Sequence, residues 1–460
     1  MTGTDLGGID RGASREFRGI RFATAERFEP PVDVEAVVSV DDGTRFGPQA
    51  PQVAGALERM LGSSELAASE DCLFLNVFTP ACDGARRPVM VWIHGGAFVT
   101  GTAAIPWYDG APLAERGDIV VVTVNYRLGA LGFLGSRNLG TLDQISALRW
   151  VRRHVTDFGG DPDRVTVVGE SAGGSAALSL LAAPTADDLV HAVWAMSPSI
   201  LQLRTREQGE RLERSFLDLL GGDDPRTATV EAILDAQLRF PMATAGMRNF
   251  APTEGTDALP DPVLERAGGD QRPLVIGTNR DEMLLFTAFD PTRAGWGDSD
   301  VEREFAARLG ERAAVAIETY RRRRPGESAS GLVSAMQTDE VFRRPAQRIG
   351  EARARSGVAT WMYLFDQVST AFGGILGACH GLDIPYAFDT LSSQGAETLT
   401  GADARRQEVA DDFAGSVVAF VRDADPGWAA FDLDRRATRR IGPDPEVVDD
   451  PEPELRRLWD

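Results

Sequence analysis

Gly169-Glu170-Ser171-Ala172-Gly173 sets a serine between two glycines in a G-x-S-x-G pattern. An unassisted hydroxyl is a weak nucleophile. It becomes useful in a sharp strand-to-helix turn that lifts Oγ over a sheet and within reach of a base. The context fits: the apolar β-type run Arg164 to Gly169 (RVTVVG) precedes the motif, and the small-residue helical stretch around Ser175 to Leu181 follows it. Gly326-Glu327-Ser328-Ala329 starts in the same way, but Ser330 replaces the second glycine and no strand precedes it, so it is rejected.

The chain has 4 histidines, so the choice of base is short. In the α/β-hydrolase order of nucleophile, acid and base, His94 and His154 come too early, and His191 follows Ser171 too closely. His380 remains, in the glycine-flanked loop Gly377-Ala378-Cys379-His380-Gly381. The acid is expected after an intervening strand. Asn279-Arg280-Asp281-Glu282 follows the run Pro273 to Gly277 (PLVIG), and the chemistry of a carboxylate alone does not separate Asp281 from Glu282. His94-Gly95-Gly96 follows the run PVMVWI. This HGG pattern supplies backbone N–H groups for a developing oxyanion, with Ala172 N–H at the start of a helix as a further donor. His94 itself reads as structural.

Composition removes other chemistries. All 48 Lys+Arg residues are arginine, which excludes Schiff-base and P-loop lysines. No HExxH or CxxC spacing is present, so a zinc site built on those spacings is not expected, and chemistry by a serine, a histidine and a carboxylate requires no metal or cofactor. A net charge of -21 argues against nucleic acid as a partner and against an anionic membrane. The N-terminal residues lack an apolar signal segment, and no run is long enough to span a membrane. With the odd set Cys72, Cys82 and Cys379, these features point to a cytoplasmic protein with reduced thiols.

The elements that must position these residues alternate in β and α character, the signature of a mostly parallel α/β sheet flanked by helices. Strands are expected at 88–93, 119–124, 164–169, 192–196, 273–277 and 359–365, with a helix over 142–158. Residues 1–460 read as a single catalytic domain. Helical excursions at about 201–250 and 291–357 are expected to form walls of the substrate pocket. The run Arg321 to Arg324 reads as a solvated helix end, and the Pro- and acid-rich tail 442–454 as loosely ordered.

The chain resembles the type-B carboxylesterases, which include bacterial para-nitrobenzyl esterases and the cholinesterases. The resemblance rests on Ser69-Glu70-Asp71-Cys72-Leu73-Phe74-Leu75-Asn76-Val77, on Phe158-Gly159-Gly160-Asp161-Pro162 leading into the Ser171 motif, and on Gly377 to Tyr386 (GACHGLDIPY). It implies an α/β-hydrolase fold with Ser171 as nucleophile, His380 as base and Glu282, not Asp281, as acid. Gly95, Gly96 and Ala172 take the oxyanion positions. It implies that Ser199 supports acid and base from behind, although Ile200 follows it where relatives have glycine and Pro198 precedes it; Glu170 sits beside the nucleophile within the motif. It also implies ion pairs Arg27–Glu70 and Arg127–Asp161. Relatives with a disulfide at the Cys72 position have an upstream cysteine where this chain has Ala50, so that bridge cannot form.

The implied activity is hydrolysis of small to medium, uncharged, hydrophobic carboxylic esters through an acyl-enzyme, with the ester and water as small-molecule partners. Carbamates and activated amides present a similar carbonyl to the same triad. A non-catalytic cholinesterase-like binding module is disfavoured because the triad candidates are complete. Trp107, Tyr108, Phe286, Phe289 and Phe372 are the aromatic candidates for pocket lining.

Overall fold

A computed structural model describes residues 6–53, 55, 66–240 and 250–460. Part of the first helical excursion, 241–249, and the N-terminal residues 1–5 lie outside the described residues. Among the described residues, thirteen strands follow in chain order. β1 (Ile9–Asp10), β2 (Arg15–Arg21), β3 (Ala23–Thr24) and β4 (Val32–Asp33) come before β5 (Phe74–Thr79), β6 (Arg87–Ile93) and β7 (Val120–Val124). Then come β8 (Gly160–Glu170), β9 (Ala192–Met196), β10 (Leu274–Asn279), β11 (Thr360–Phe365), β12 (Ala437–Ile441) and β13 (Glu446–Asp449). Eleven of them form one sheet in the order β1-β2-β5-β7-β6-β8-β9-β10-β11-β12-β13. From β7 to β12 neighbours run parallel; antiparallel pairs close both edges. This is the α/β-hydrolase fold.

Alternation along each strand feeds the two faces of the sheet. Val89, Val91 and Ile93 of β6 enter one buried cluster and Met90 and Trp92 the other. β10 divides likewise, Leu274 and Ile276 against Val275. All seven residues of β6 are buried, as expected for a strand covered on both faces.

Each strand run expected from the sequence is present within a residue or two, except that β8 begins earlier, at Gly160. The helix over 142–158 is an α-helix, Leu139–His154, continued by a 3₁₀ turn to Phe158. β2 gives a weak periodic signal because its pairing with β5 shifts between Phe17 and Ile20. Its arginines also hide its apolar character: Arg15 and Arg21 lie over the rings of Phe17 and Phe74.

Three expectations need correction. The tail is ordered: β13 pairs with β12, and Leu455 and Leu458 join an apolar cluster formed by the second excursion. The basic run is also not simply solvated. Arg322 meets Glu454 at 2.8 Å, Arg323 meets Glu452 at 2.6 Å, and the largely buried Arg324 meets Asp281 at 2.7 Å. An acidic tail and an arginine helix end, each unremarkable alone, neutralise one another. Finally, Arg127 does not pair with Asp161. It holds the buried Asp143 through its backbone N–H (3.0 Å) and two guanidinium nitrogens (2.8 and 2.7 Å), while Asp161 takes Arg86. Arg27–Glu70 does form, at 2.7 Å.

Arg127 follows Tyr126, whose ring stacks on His94 at 4.6 Å, so the buried pair also braces the His94 loop. Arg127→Met leaves Asp143 buried without its counter-charge and is expected to cost about 3–5 kcal/mol. A urea unfolding midpoint unchanged from the parent would contradict that assignment.

Candidate functional site

The parallel register fixes which loops meet. Ile93, the last residue of β6, pairs with Gly169 of β8, so the loop starting at His94 and the turn at Ser171 leave adjacent carboxyl ends. Asn279 pairs with Phe365, so the segment carrying Glu282 and the loop carrying His380 also arise from neighbours. The site lies where ligands bind in such folds, beyond the carboxyl ends of parallel strands.

Ser171 has φ 57° and ψ −118°, a conformation that costs a non-glycine residue on the order of 1–3 kcal/mol. Its N–H donates to Met196 O (2.9 Å) and its carbonyl accepts from Ser175 N–H (2.9 Å), so the strained turn is tied at both ends. Gly173 is obligatory here because a Cβ would lie 2.0 Å from Ile93 O. The opposite loop is strained as well: Gly96 (φ 110°), Ala97 (53°) and Phe98 (59°) form a left-handed run. A Cβ on Gly96 would meet Thr100 O at 2.1 Å.

A seam of hydrogen bonds joins the acid and histidine loops. His380 N–H donates to Glu282 O (3.2 Å) and Asp281 N–H to Ala378 O (3.0 Å). Ala378 N–H returns to Asp281 Oδ2 (3.0 Å), and Asn279 Nδ2 reaches Cys379 O (2.8 Å). His380 Nδ1 lies 2.6 Å from Glu282 Oε2, and the other carboxylate oxygen accepts from Asn279 N–H at 2.7 Å. This separates the two acids. Glu282 is fully buried against the imidazole, whereas Asp281 is an anchor shared by Arg280, Arg324 and the histidine loop.

The charges around the imidazole are crowded. Burial works against the charged form of His380, but Glu170 and Glu282 more than offset it and carry it up to about 9. Burial pushes Glu170 up to about 8 despite the pull of His380, and burial with the Glu282 charge pushes Asp383 up to about 7. These groups titrate as a unit, because a proton on Glu170 removes part of what raises His380. Glu170 Oε1 lies 3.2 Å from His380 Nε2 without the alignment of a hydrogen bond. The remaining histidines make other contacts. His94 is held neutral by burial, down to about 4, with Nδ1 2.8 Å from Gly95 O. His191 Nδ1 accepts from Val165 N–H (3.1 Å), and His154 rests against Trp150.

Ser171, His380, Glu170, Gly95 and Gly96 line one cavity of about 300 Å³, whose other walls are mainly apolar. The carboxylesterase family profile matches residues 2–432. The chain belongs to the carboxylesterase family. The para-nitrobenzyl esterase of Bacillus subtilis (strain 168) is 34% identical to it, over 98% of this chain and 96% of that protein. The phenmedipham hydrolase of Pseudarthrobacter oxydans is 33% identical, over 96% and 94%. A Geobacillus stearothermophilus carboxylesterase structure superposes with TM-score 0.87 at 32% identity, covering 98% of both chains. The protein is thus a serine carboxylesterase.

In this carboxylesterase, Trp107, Tyr108 and Phe286 line the cavity. Phe289 and Phe372 do not: they are 61% and 54% exposed and pair with each other at 5.3 Å. The first excursion contributes Gln237 and Leu238 to the lining. The second contributes none among the described residues; it reaches the site from behind, where buried Phe342 lies 4.7 Å from the His380 ring. Ser199 is buried, but its hydroxyl donates to Gln202 Oε1 (3.2 Å) and not to Glu282 or His380. A 3₁₀ turn, Ile200–Gln202, starts directly after Ser199 and brings Gln202 back over it. Sequence reasoning missed Phe342, Asn279 and Asp383. Asn279 and Asp383 lie inside quoted motifs, but nothing local marked Phe342.

Chemistry that needs a neutral His380 gains rate as pH rises through its pKa. Removing a neighbouring anion lowers that pKa. Glu170→Gln is therefore expected to move the acid limb of the kcat/KM profile to lower pH. A limb that stays in place would show that Glu170 does not act on the imidazole.

Proposed function

We propose that Ser171 is the nucleophile, His380 the general base and Glu282 the acid that orients and stabilises the imidazolium. Gly95, Gly96 and Ala172 N–H groups are the oxyanion donors. The observation that carries this reading is the 2.6 Å contact between His380 and the buried Glu282, beside a cavity shared by His380 and Ser171. His380 takes the hydroxyl proton as Ser171 Oγ bonds to the ester carbonyl carbon, and the carbonyl electrons move onto oxygen, facing the backbone donors. Collapse of the tetrahedral species breaks the bond to the alcohol oxygen, which receives the proton from His380. Water then repeats the sequence on the acyl-serine and releases the acid. The loss of one side-chain oxyanion donor in a comparable enzyme costs about 10²–10³ in kcat.

The preferred substrates in this reading are small to medium, uncharged, moderately hydrophobic esters. Ile105, Trp107, Tyr108, Leu285 and Phe286 give the cavity an apolar wall, and about 300 Å³ limits the size of what it encloses. The whole chain acts as one catalytic domain. The reducing cytoplasm is its compartment, a reading supported by the free thiols of Cys72, Cys82 and Cys379.

Intact-mass analysis after organophosphonate treatment is expected to show a single adduct on Ser171. Ser171→Ala should lose the adduct and about 10⁴–10⁶ in kcat across a panel of neutral esters and carbamates. A label elsewhere, or hydrolysis retained in Ser171→Ala, contradicts the reading.

A further inference from the structure

The second excursion holds one continuous helical run, Ala329–Thr338, Asp339–Arg343 and Arg344–Arg355, whose middle piece is π-helical. There Arg344 N–H bonds to Asp339 O, five residues back. The sequence supplies a cause. Pro345 has no N–H to give the Val341 carbonyl, and its ring would crowd that oxygen in a regular α-helix, so a wider turn relieves the clash. Such a turn also re-aims the side chains it carries.

The re-aimed side chains converge on the two loops that carry His380 and Glu282. The Phe342 ring, fully buried, stands 4.7 Å from the His380 ring at 38° and packs with Met283 and Val341. Arg343 Nη2 donates to Arg280 O (2.7 Å) and Asn279 O (3.3 Å), capping the backbone just before Glu282. The N–H of Asn279 itself holds Glu282 Oε1. Just upstream of the turn, Thr338 Oγ1 accepts from Met283 N–H at 3.1 Å. Arg343 is fixed in turn by Asp339, whose other oxygen accepts from Tyr320 O–H at 2.5 Å. Trp459 Nε1 donates to Tyr320 Oη at 3.3 Å, which ties the chain's end to the same network.

We infer that the π-helical turn Asp339–Arg343 is a positioning element for the reaction, with Phe342 setting the plane of the His380 imidazole and Arg343 setting the backbone from which Glu282 reaches it. The inference rests on the roles proposed above for His380 and Glu282. Neither positioning residue lines the cavity, so each acts through His380 or the segment carrying Glu282. Phe342 is a fixed wall behind a ring whose other aromatic neighbour, Phe286, is 41% exposed at the cavity. Without that wall the imidazole can tilt away from Glu282, which holds its Nδ1. Small misplacements of this kind cost on the order of 10²-fold in rate at most, and they leave substrate binding in place.

The test compares Phe342→Leu and Arg343→Met with Phe420→Leu, a change at an equally buried phenylalanine that packs on Trp194 and Trp361, away from the site. Steady-state ester hydrolysis, organophosphonate labelling rate and thermal midpoint are measured for each. The two turn variants are expected to lose about ten- to a hundredfold in kcat, with KM within about twofold and labelling slowed in parallel. Phe420→Leu should lower the midpoint comparably and keep its kcat. If Arg343→Met fails to fold, Phe342→Leu decides. Unchanged kcat in folded turn variants, a loss confined to KM, or an equal kcat loss in Phe420→Leu overturns the inference. Ser171→Ala, run alongside, separates the two levels. If it is inactive while the turn variants behave like the parent, only the positioning role fails; if it stays active, the underlying reading fails.

Discussion

The seam between the acid loop and the histidine loop is the constraint on which the site depends. An imidazole on a loop has two free torsions and many solvated orientations, and only a narrow set points one ring nitrogen at a hydroxyl. Here His380 Nδ1 sits 2.6 Å from a carboxylate with no solvent exposure, and that carboxylate is itself held by Asn279 N–H. Burying these groups is costly, and only good geometry with further hydrogen bonds offsets the cost. The seam supplies that geometry through backbone pairs and through Asp281, whose charge is met by Arg280 and Arg324. The paired register of β10 and β11 places both loops at the same height.

The other half of the site is built on strain. Ser171 and the run Gly96 to Phe98 occupy backbone conformations that an unconstrained chain would leave. They persist because β6 and β8 are adjacent, buried and parallel, and because glycines at 96 and 173 allow carbonyls to approach where a Cβ would collide. His94 enters this arrangement through its packing. Its buried neutral ring, stacked on Tyr126, stiffens the loop that presents Gly95 and Gly96.

Much of this was legible in the sequence, for identifiable reasons. Central strands are continuous apolar runs, so β6, β7 and β8 announced themselves. Ser171 stood out through its flanking glycines, and His380 through chain order among four histidines. The choice of Glu282 over Asp281 needed a family resemblance, since both carboxylates are buried and one residue apart. What stayed hidden was long-range pairing. Nothing local distinguishes Asp143 from Asp161 as the partner of Arg127, or joins Arg322 and Arg323 to the acidic tail. Phe342 was invisible for the same reason: on a helix, an apolar residue facing the His380 ring looks like one facing any core. Phe289 and Phe372 erred in the other direction, being near the motifs in sequence but turned outward.

The scarcity of histidine that singled out His380 as the proposed base also makes that proposal measurable. With ¹⁵N-histidine labelling the chain yields only 4 imidazoles, and their ring protons can be assigned by single substitutions. A buried imidazole bonded at Nδ1 to a carboxylate should give one far-downfield ring proton at neutral pH. That resonance should vanish in His380→Ala and Glu282→Ala and persist in His94→Ala, His154→Ala and His191→Ala. A spectrum without such a proton, or one that keeps it after Glu282→Ala, would contradict the account at its centre.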